Sequence, residues 1–289
     1  MAGQRRAPTL RMKRFGEEMR QLRERAGVSQ KDAGLAIDGN QSKMSKIENA
    51  TTWPKRLEVL ELLKQYGLTG EDEVAAVIRR WRQAVPTEFV TKVDLRADMR
   101  EMVDLESTCV RAEMFSTMHL PGLLQIEDYA AAMIQGLEPT LASDDVKSYV
   151  DLRMQRQKIL DRVDPQPPEI MCILDEGVIR RPVGGPAVMA QQLKRLLELT
   201  KRPHVTIQVV PFEQAVYPGL HGSFRTLVSE DGALDVVEVS TWHKAWYRQE
   251  PSDVAVYRKL FDDIRASALP SRQTANLIND AVRTYQRQE

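Results

Sequence analysis

Two absences from this 289-residue sequence exclude whole classes of protein. Its two cysteines, Cys109 and Cys172, stand singly in apolar stretches, so a disulfide-bonded scaffold is excluded and buried, reduced thiols are expected. No window approaches eighteen apolar residues, and the basic N-terminus carries no apolar segment of a signal peptide. We therefore predict neither a membrane span nor a secretion signal, and we expect a cytoplasmic protein.

Motifs for metal binding and catalysis are also missing. No pair of histidines or cysteines has metal-ligand spacing. The glycine pair Gly184-Gly185 lacks the pattern of a dinucleotide-binding or phosphate-binding loop and is interpreted as a turn. No nucleophile elbow is visible. The sequence therefore predicts no metal, no cofactor and no enzymatic activity. The four histidines, each standing alone, are His119, His204, His221 and His243.

Charge is balanced over the whole chain but not along it. The chain contains 41 basic and 41 acidic residues. Residues 1–83 hold 17 Lys and Arg against 11 Asp and Glu, a net charge of +6, which leaves 24 against 30, or −6, for the remainder. A basic head on an acidic body fits a small DNA-contacting domain followed by a larger domain that avoids DNA. Residues 1–12 are predicted to be a disordered basic arm.

Residues 13–83 show the apolar periodicity of five short helices. Helix 1 is predicted to end at Gly27, Ser29 to cap helix 2, and Asn40 to cap helix 3, which follows the break at Gly39. Helix 4 follows Pro54, and helix 5 begins near Glu71. The inward-facing residues are predicted to be Phe15, Met19, Leu22, Ala33, Ala36, Ile37, Met44, Ile47, Leu57, Leu60, Leu63, Tyr66, Val74, Val77, Ile78 and Trp81.

Helix 3 is predicted to present a polar face outward. Gln41, Ser42, Ser45 and Lys46 share that face, with Lys43 to one side. A glutamine can bond to adenine through two hydrogen bonds, and a lysine can donate to guanine. The pattern favours a recognition helix of a helix-turn-helix that contacts double-stranded DNA, while an ordinary solvated helix face is the alternative.

The head resembles the phage-repressor (XRE, Cro-type) family, in which a glutamine opens each of helices 2 and 3. The resemblance implies that Gln30 braces Gln41 and contacts a phosphate, and that Gln41, Ser42 and Lys46 reach base edges. It further implies phosphate contacts from Lys43 and Lys55. Ser45, on the same polar face, is a further candidate for a phosphate contact or a brace. Finally, it implies a structural ion pair between Arg23 and Glu48.

Residues 84–110 are predicted to form a linker or connecting helix, and residues 111–289 a mixed α/β domain. Glu169–Asp175 and Val205–Val210 have the length and composition of strands. A helix over 187–200 lies between them, which suggests a βαβ-like unit. Segments 223–227 and 234–239 are predicted to form a hairpin that turns at Asp231-Gly232. The fold class is therefore an all-α, five-helix head followed by a larger α/β domain.

The segment LPGLLQIEDYA, residues 120–130, resembles the signature of a C-terminal domain of uncharacterised function found in actinobacterial regulators and often called antitoxin-like. RMQRQKIL, ILDEGVIRR and VTIQVVPF extend the resemblance. It implies a transcription regulator, expected to be a homodimer, and a small partner protein encoded next to it. As an alternative main function, the C-terminal domain sequesters that partner and DNA binding serves autoregulation.

Two features of the second domain leave alternatives open. Asp175 and Glu176 follow a predicted strand, where they could act as ligands or catalytic carboxylates, or instead cap a helix and pair with Arg180 or Arg181. The aromatic segment after residue 240 could be core or a surface that anchors a partner or ligand. The candidate residues of that surface are Trp242, His243, Trp246 and Tyr247.

Overall fold

The computed structural model describes residues 8–85, 97–230, 232, 235–241 and 245–288. The chain divides into two compact units, Met1–Thr108 and Cys109–Glu289. The predicted fold class is confirmed, because a helical head precedes a larger domain that combines a mixed sheet with helices. Nowhere in the described ranges is a helix long and apolar enough to cross a membrane.

The described part of the first unit is helical. The N-caps follow from local chemistry, since Ser29 accepts a hydrogen bond from the Asp32 N–H at 3.1 Å and Asn40 accepts one from the Lys43 N–H at 2.9 Å. Its helices are α1 Leu10–Arg25, α2 Gln30–Ala36, α3 Gln41–Glu48, α4 Arg56–Gln65, α5 Glu71–Ala84 and α6 Ala97–Thr108.

One core joins α1 to α5. Most of the predicted inward-facing residues lie in it or pack against it. The exception on α4 is Leu57, whose side chain is 76% exposed. The predicted Leu63 is buried, and Val59 and Leu62, which were not predicted, complete the buried stripe of the helix. On α2, Ala36 is only half-buried and the buried Gly34 takes the close contact, since a Cβ there would lie 2.4 Å from the Asn40 carbonyl oxygen.

The prediction of a disordered arm over residues 1–12 is wrong for its last residues, which belong to the start of α1. Residues 1–7 lie outside the described residues, but Thr9 caps α1 and Leu10 opens it. Arg11 is 1% exposed and pairs with Asp104 of α6, which is fully buried. The Leu10 N–H donates to Glu101 of the same helix at 2.8 Å. Composition alone marked this segment as solvated, because the acidic partners lie some ninety residues away in the predicted connecting segment.

The second unit is built on a mixed sheet. Within the described residues six strands occur in the order β3-β2-β1-β4-β5-β6. β1, β2 and β3 are parallel, and β4, β5 and β6 continue the sheet antiparallel. Their bounds are β1 Arg111–Ser116, β2 Glu169–Asp175, β3 Val205–Val210, β4 Phe224–Val228, β5 Val236–Ser240 and β6 Ala245–Arg248.

The predicted strands are present, and two further strands were missed. β2 and β3 are parallel and connected by a helix, as the βαβ prediction requires. β1 was missed because Arg111 and Glu113 break its apolar pattern, although the strand lies in the interior of the sheet. β6 is four residues long and was seen only as an aromatic cluster.

Helices cover this sheet and provide the rest of the core. Phe224 contacts both Phe115 and Phe261, and these rings lie in one core between the sheet and the helix Pro251–Ser267. The helices of this unit are α7 Glu127–Leu137, α8 Ser143–Gln157, α9 Glu176–Arg180, α10 Pro186–Leu199, α11 Pro251–Ser267 and α12 Ser271–Gln286. Single 3₁₀ turns span Gly122–Leu124, Lys158–Asp161 and Pro218–His221.

Candidate nucleic-acid interface

α3 has a buried face and an exposed polar face. Met44 is fully buried and Ile47 is 1% exposed, which fixes the rotation of the helix about its own axis. The opposite side therefore faces solvent. Gln41, Ser42 and Lys46 are exposed there. The three predicted base readers thus share one accessible face, while their contacts with bases stay a prediction.

Glu48, the last residue of α3, joins three helices. Its fully buried carboxylate accepts a hydrogen bond from Arg23 Nε at 2.5 Å and from Arg23 Nη2 at 3.2 Å. The hydrogen bond to Glu48 raises the pKa of Arg23, although burial opposes it. Removing one partner of such a buried pair leaves an uncompensated charge. The structure therefore brings together the predicted pair and uses it to hold α3 against α1.

Gln30 was predicted to brace Gln41, but in this structure it forms its hydrogen bond with Glu48. Its side-chain amide donates to Glu48 Oε2 at 2.7 Å. Gln30 therefore helps to hold α3 in place through Glu48, and its phosphate contact stays a prediction.

The two lysines predicted to contact phosphates differ in their surroundings. Lys43 is only 31% exposed, and its ammonium group donates to the Ile37 carbonyl at 3.0 Å and to Glu58 Oε1 at 2.7 Å. Lys55 is exposed at the N-cap of α4, and its backbone N–H donates to Glu58 Oε2. The Lys55 side chain is accessible, and its phosphate contact stays a prediction, whereas Lys43 is bound within the fold.

The outward face of α3 extends further than the sequence prediction. Asn49 lies four residues after Ser45 and three after Lys46, so it continues the same face. Its amide donates to the Ser45 carbonyl at 2.8 Å and to Ser45 Oγ at 3.3 Å, and its oxygen accepts from Arg20 Nη2 at 3.1 Å. Helical spacing could have identified Asn49, which is not among the predicted residues of the outward face. Arg56, at the start of α4, is a further exposed basic residue that was not among the predicted candidates.

In the second unit, Asp175 and Glu176 are held by structural contacts. Asp175 caps α9 by accepting from the Gly177 N–H at 2.8 Å, and it accepts from the Tyr217 hydroxyl at 2.7 Å. Burial and the bond to Asp175 raise the pKa of Tyr217, so the phenol stays a donor. Glu176 pairs with Arg180 and accepts from the Phe212 N–H at 2.9 Å. The predicted helix cap and the predicted salt bridge to Arg180 are therefore both present.

The predicted aromatic surface is only partly described. Trp242 and His243 lie outside the described residues. Trp246 is 48% exposed and Tyr247 half-buried on β6, the last strand of the sheet. Where side chains are described, three or more His, Cys, Asp or Glu residues nowhere form a group that could hold a metal ion.

Comparisons with known proteins identify both parts of the chain. A helix-turn-helix domain family matches residues 14–77. A family described as a domain of unknown function (DUF5753) matches residues 99–280. Searches of the curated proteins and of the solved structures give no significant match.

Proposed function

Because the chain belongs to the DUF5753 family and begins with a helix-turn-helix DNA-binding domain, we propose that it is a sequence-specific transcription regulator. The observation that carries this proposal is the exposed polar face of α3, held by the buried Met44 and by Glu48. Gln41, Ser42 and Lys46 read bases, and Lys55 contacts the phosphate backbone. The XRE-type geometry and a cytoplasmic location are parts of the same proposal.

The proposed regulator binds as a homodimer. Two heads would then read half-sites roughly one helical turn, about 34 Å, apart in a pseudo-palindrome. The C-terminal domain supplies dimerisation and responds to a partner or ligand. Sequencing the DNA fragments that the purified protein selects from a random pool gives the site, and its symmetry tests the dimer.

A salt titration of binding to the selected duplex tests the DNA assignment. Affinity should fall steeply with salt, because each neutralised phosphate releases counterions and contributes about 0.9 to the slope. Gln41→Ala should relax selectivity at one base position, with a loss of about 1–3 kcal/mol there. Lys55→Met should weaken binding to all sequences alike. A wild-type protein with a flat salt response would refute DNA binding.

A second candidate function is favoured by an apolar surface on the second unit. Met118 follows β1, Phe212 and Val216 follow β3, and Leu220 precedes β4, so all four lie at the same end of the strands. They are between 57% and 79% exposed. Such a surface fits an antitoxin-like module that sequesters the small, adjacently encoded protein.

Co-expression separates these two functions. The second predicts that the full chain co-purifies with the product of the adjacent reading frame, and that Phe212→Ser abolishes the complex while DNA binding persists. Leu137→Ser, which changes a 50% exposed leucine elsewhere in the unit, is the matched control. A complex that survives Phe212→Ser unchanged would contradict this assignment of the surface.

A further inference from the structure

Lys43 lies across the turn between α2 and α3 instead of pointing to solvent. A Cβ built on Gly39 would lie 2.5 Å from Lys43 Cδ and 3.4 Å from Lys43 Cβ. The aliphatic stem therefore passes directly over Gly39, and a side chain at position 39 would force the stem to move. The position of the stem fixes where the ammonium group can reach.

The Lys43 ammonium group joins three consecutive helices. It donates to the carbonyl of Ile37, the C-cap of α2, and to Glu58 in the first turn of α4. The other oxygen of Glu58 accepts the Lys55 N–H at 2.7 Å. One lysine of α3 thus satisfies an acceptor at the end of the preceding helix and bonds to a carboxylate in the following one.

The electrostatics of Glu58 agree with this geometry. Burial opposes its ionisation, but the bonds from Lys43 and from the Lys55 N–H outweigh burial and lower its pKa. Glu58 is therefore ionised at neutral pH, and it neutralises the charge of Lys43 at close range. Because this partly buried carboxylate already neutralises the ammonium group, the electrostatic attraction of Lys43 to a phosphate should be weak.

We propose that Lys43 is a positioning residue that sets the orientation of the recognition helix, and that it makes no phosphate contact. The proposal rests on the proposed function, since an orientation matters only if α3 reads DNA. Gln41 and Ser42 precede Lys43 directly, so a shift at Lys43 moves both. Its loss should therefore affect sequence selectivity more than the general attraction to DNA.

The first test compares Lys43→Met with Lys55→Met in the full chain, with binding measured to the duplex selected by the wild type and to random duplex over a range of salt. Lys43→Met should reduce the ratio of the two affinities about tenfold, the effect of one misplaced base contact. The slope of log affinity against log salt should not change. Lys55→Met should lower that slope by about 0.9 and leave the ratio unchanged.

Glu58→Ala distinguishes positioning from charge. If Lys43 contacted a phosphate, removing the carboxylate would release it and strengthen binding to every sequence. A positioning role predicts instead that Glu58→Ala reduces the ratio of specific to random affinity, as Lys43→Met does. Glu61→Ala makes the same charge change on a half-exposed site of α4 and serves as the control. A lower salt slope in Lys43→Met, or tighter binding in Glu58→Ala without a loss of selectivity, would overturn the proposal.

A coupling experiment tests the geometry without DNA. Gly39→Ala should lower the melting temperature of the wild type, because the new methyl group displaces the Lys43 stem. In the Lys43→Ala background most of that cost should disappear. Equal costs in both backgrounds would show that the stem does not occupy the turn, which would overturn the proposal. If the wild type bound no DNA, the proposed function would fail while this cycle still reported on Lys43.

Discussion

The buried pair between Arg11 and Asp104 gives the sharpest prediction about stability. Arg11 Nε donates to Asp104 Oδ2 at 2.7 Å, and Nη2 donates to Oδ1. Arg11 Nη1 is buried without a hydrogen-bond partner among the described residues, so Asp104 is the carboxylate that hydrogen-bonds the guanidinium group. Asp104→Asn keeps the shape of the side chain and removes the charge.

The expected cost follows from burial. Breaking a fully buried ion pair from one side typically costs about 3–5 kcal/mol, because the remaining charge stays desolvated. The asparagine oxygen still accepts one bond, which places Asp104→Asn near the lower end, about 3 kcal/mol. Replacing both partners by apolar residues, Arg11→Met with Asp104→Leu, should cost far less, since no charge is left behind.

Amide hydrogen exchange of the full chain, followed by mass spectrometry, localises the effect. Peptides from α1 and α6 should exchange about 100-fold faster in Asp104→Asn, since each 1.4 kcal/mol corresponds to a factor of ten in local opening. Arg25→Met, at the exposed end of α1, is the control and should leave exchange unchanged. Exchange within about twofold of wild type in Asp104→Asn, or a double variant as labile as the single one, would refute the reasoning.

Two further predictions concern the first unit. Burial raises the pKa of Glu101 to about 7, with Asp104 adding to the effect and the Leu10 N–H opposing it. The folded state then binds this proton more tightly than the unfolded chain, so the free energy of unfolding should fall as pH rises from about 4.5 to about 7. Melting curves of Glu101→Gln should lose that dependence, and an unchanged slope would count against it. On α4, denaturant unfolding should show that Leu62→Ala costs about 2–5 kcal/mol, while the exposed Leu57→Ala stays within about 0.5 kcal/mol; equal costs would contradict the burial pattern.

Local chemistry made the helix-turn-helix predictable. Ser29 and Asn40 have oxygens that can accept backbone N–H groups, and both act as caps in the structure. Met44 and Ile47 have the spacing of a buried stripe, which determines the opposite, exposed face. Each of these signals acts within a few residues, so a sequence pattern contains all of the information that is needed.

Long-range partners explain what the sequence did not reveal. The burial of Arg11 depends on Asp104, and the orientation of Lys43 depends on Glu58, a residue of the next helix. Glu113 interrupts the apolar pattern of β1, although in the sheet its carboxylate forms a salt bridge with Arg111. Sequence periodicity does not show which distant carboxylate pairs with which basic group. Arg11 was therefore predicted to be solvated and Lys43 to contact a phosphate.

The position of the unit boundary alters the electrostatic argument for DNA binding. Residues 84–108 add 3 basic and 6 acidic residues to the first unit, so its balance is 20 against 17, or +3, where residues 1–83 alone gave +6. Half of the apparent asymmetry between head and body is therefore cancelled by the segment that contains α6. A net charge this small cannot supply strong steering to DNA. The attraction to DNA must therefore come from the local distribution of the basic side chains. Lys46, Lys55 and Arg56 are exposed on α3 and at the start of α4. In contrast, Arg11, Arg23 and Lys43 are neutralised by carboxylates inside the fold.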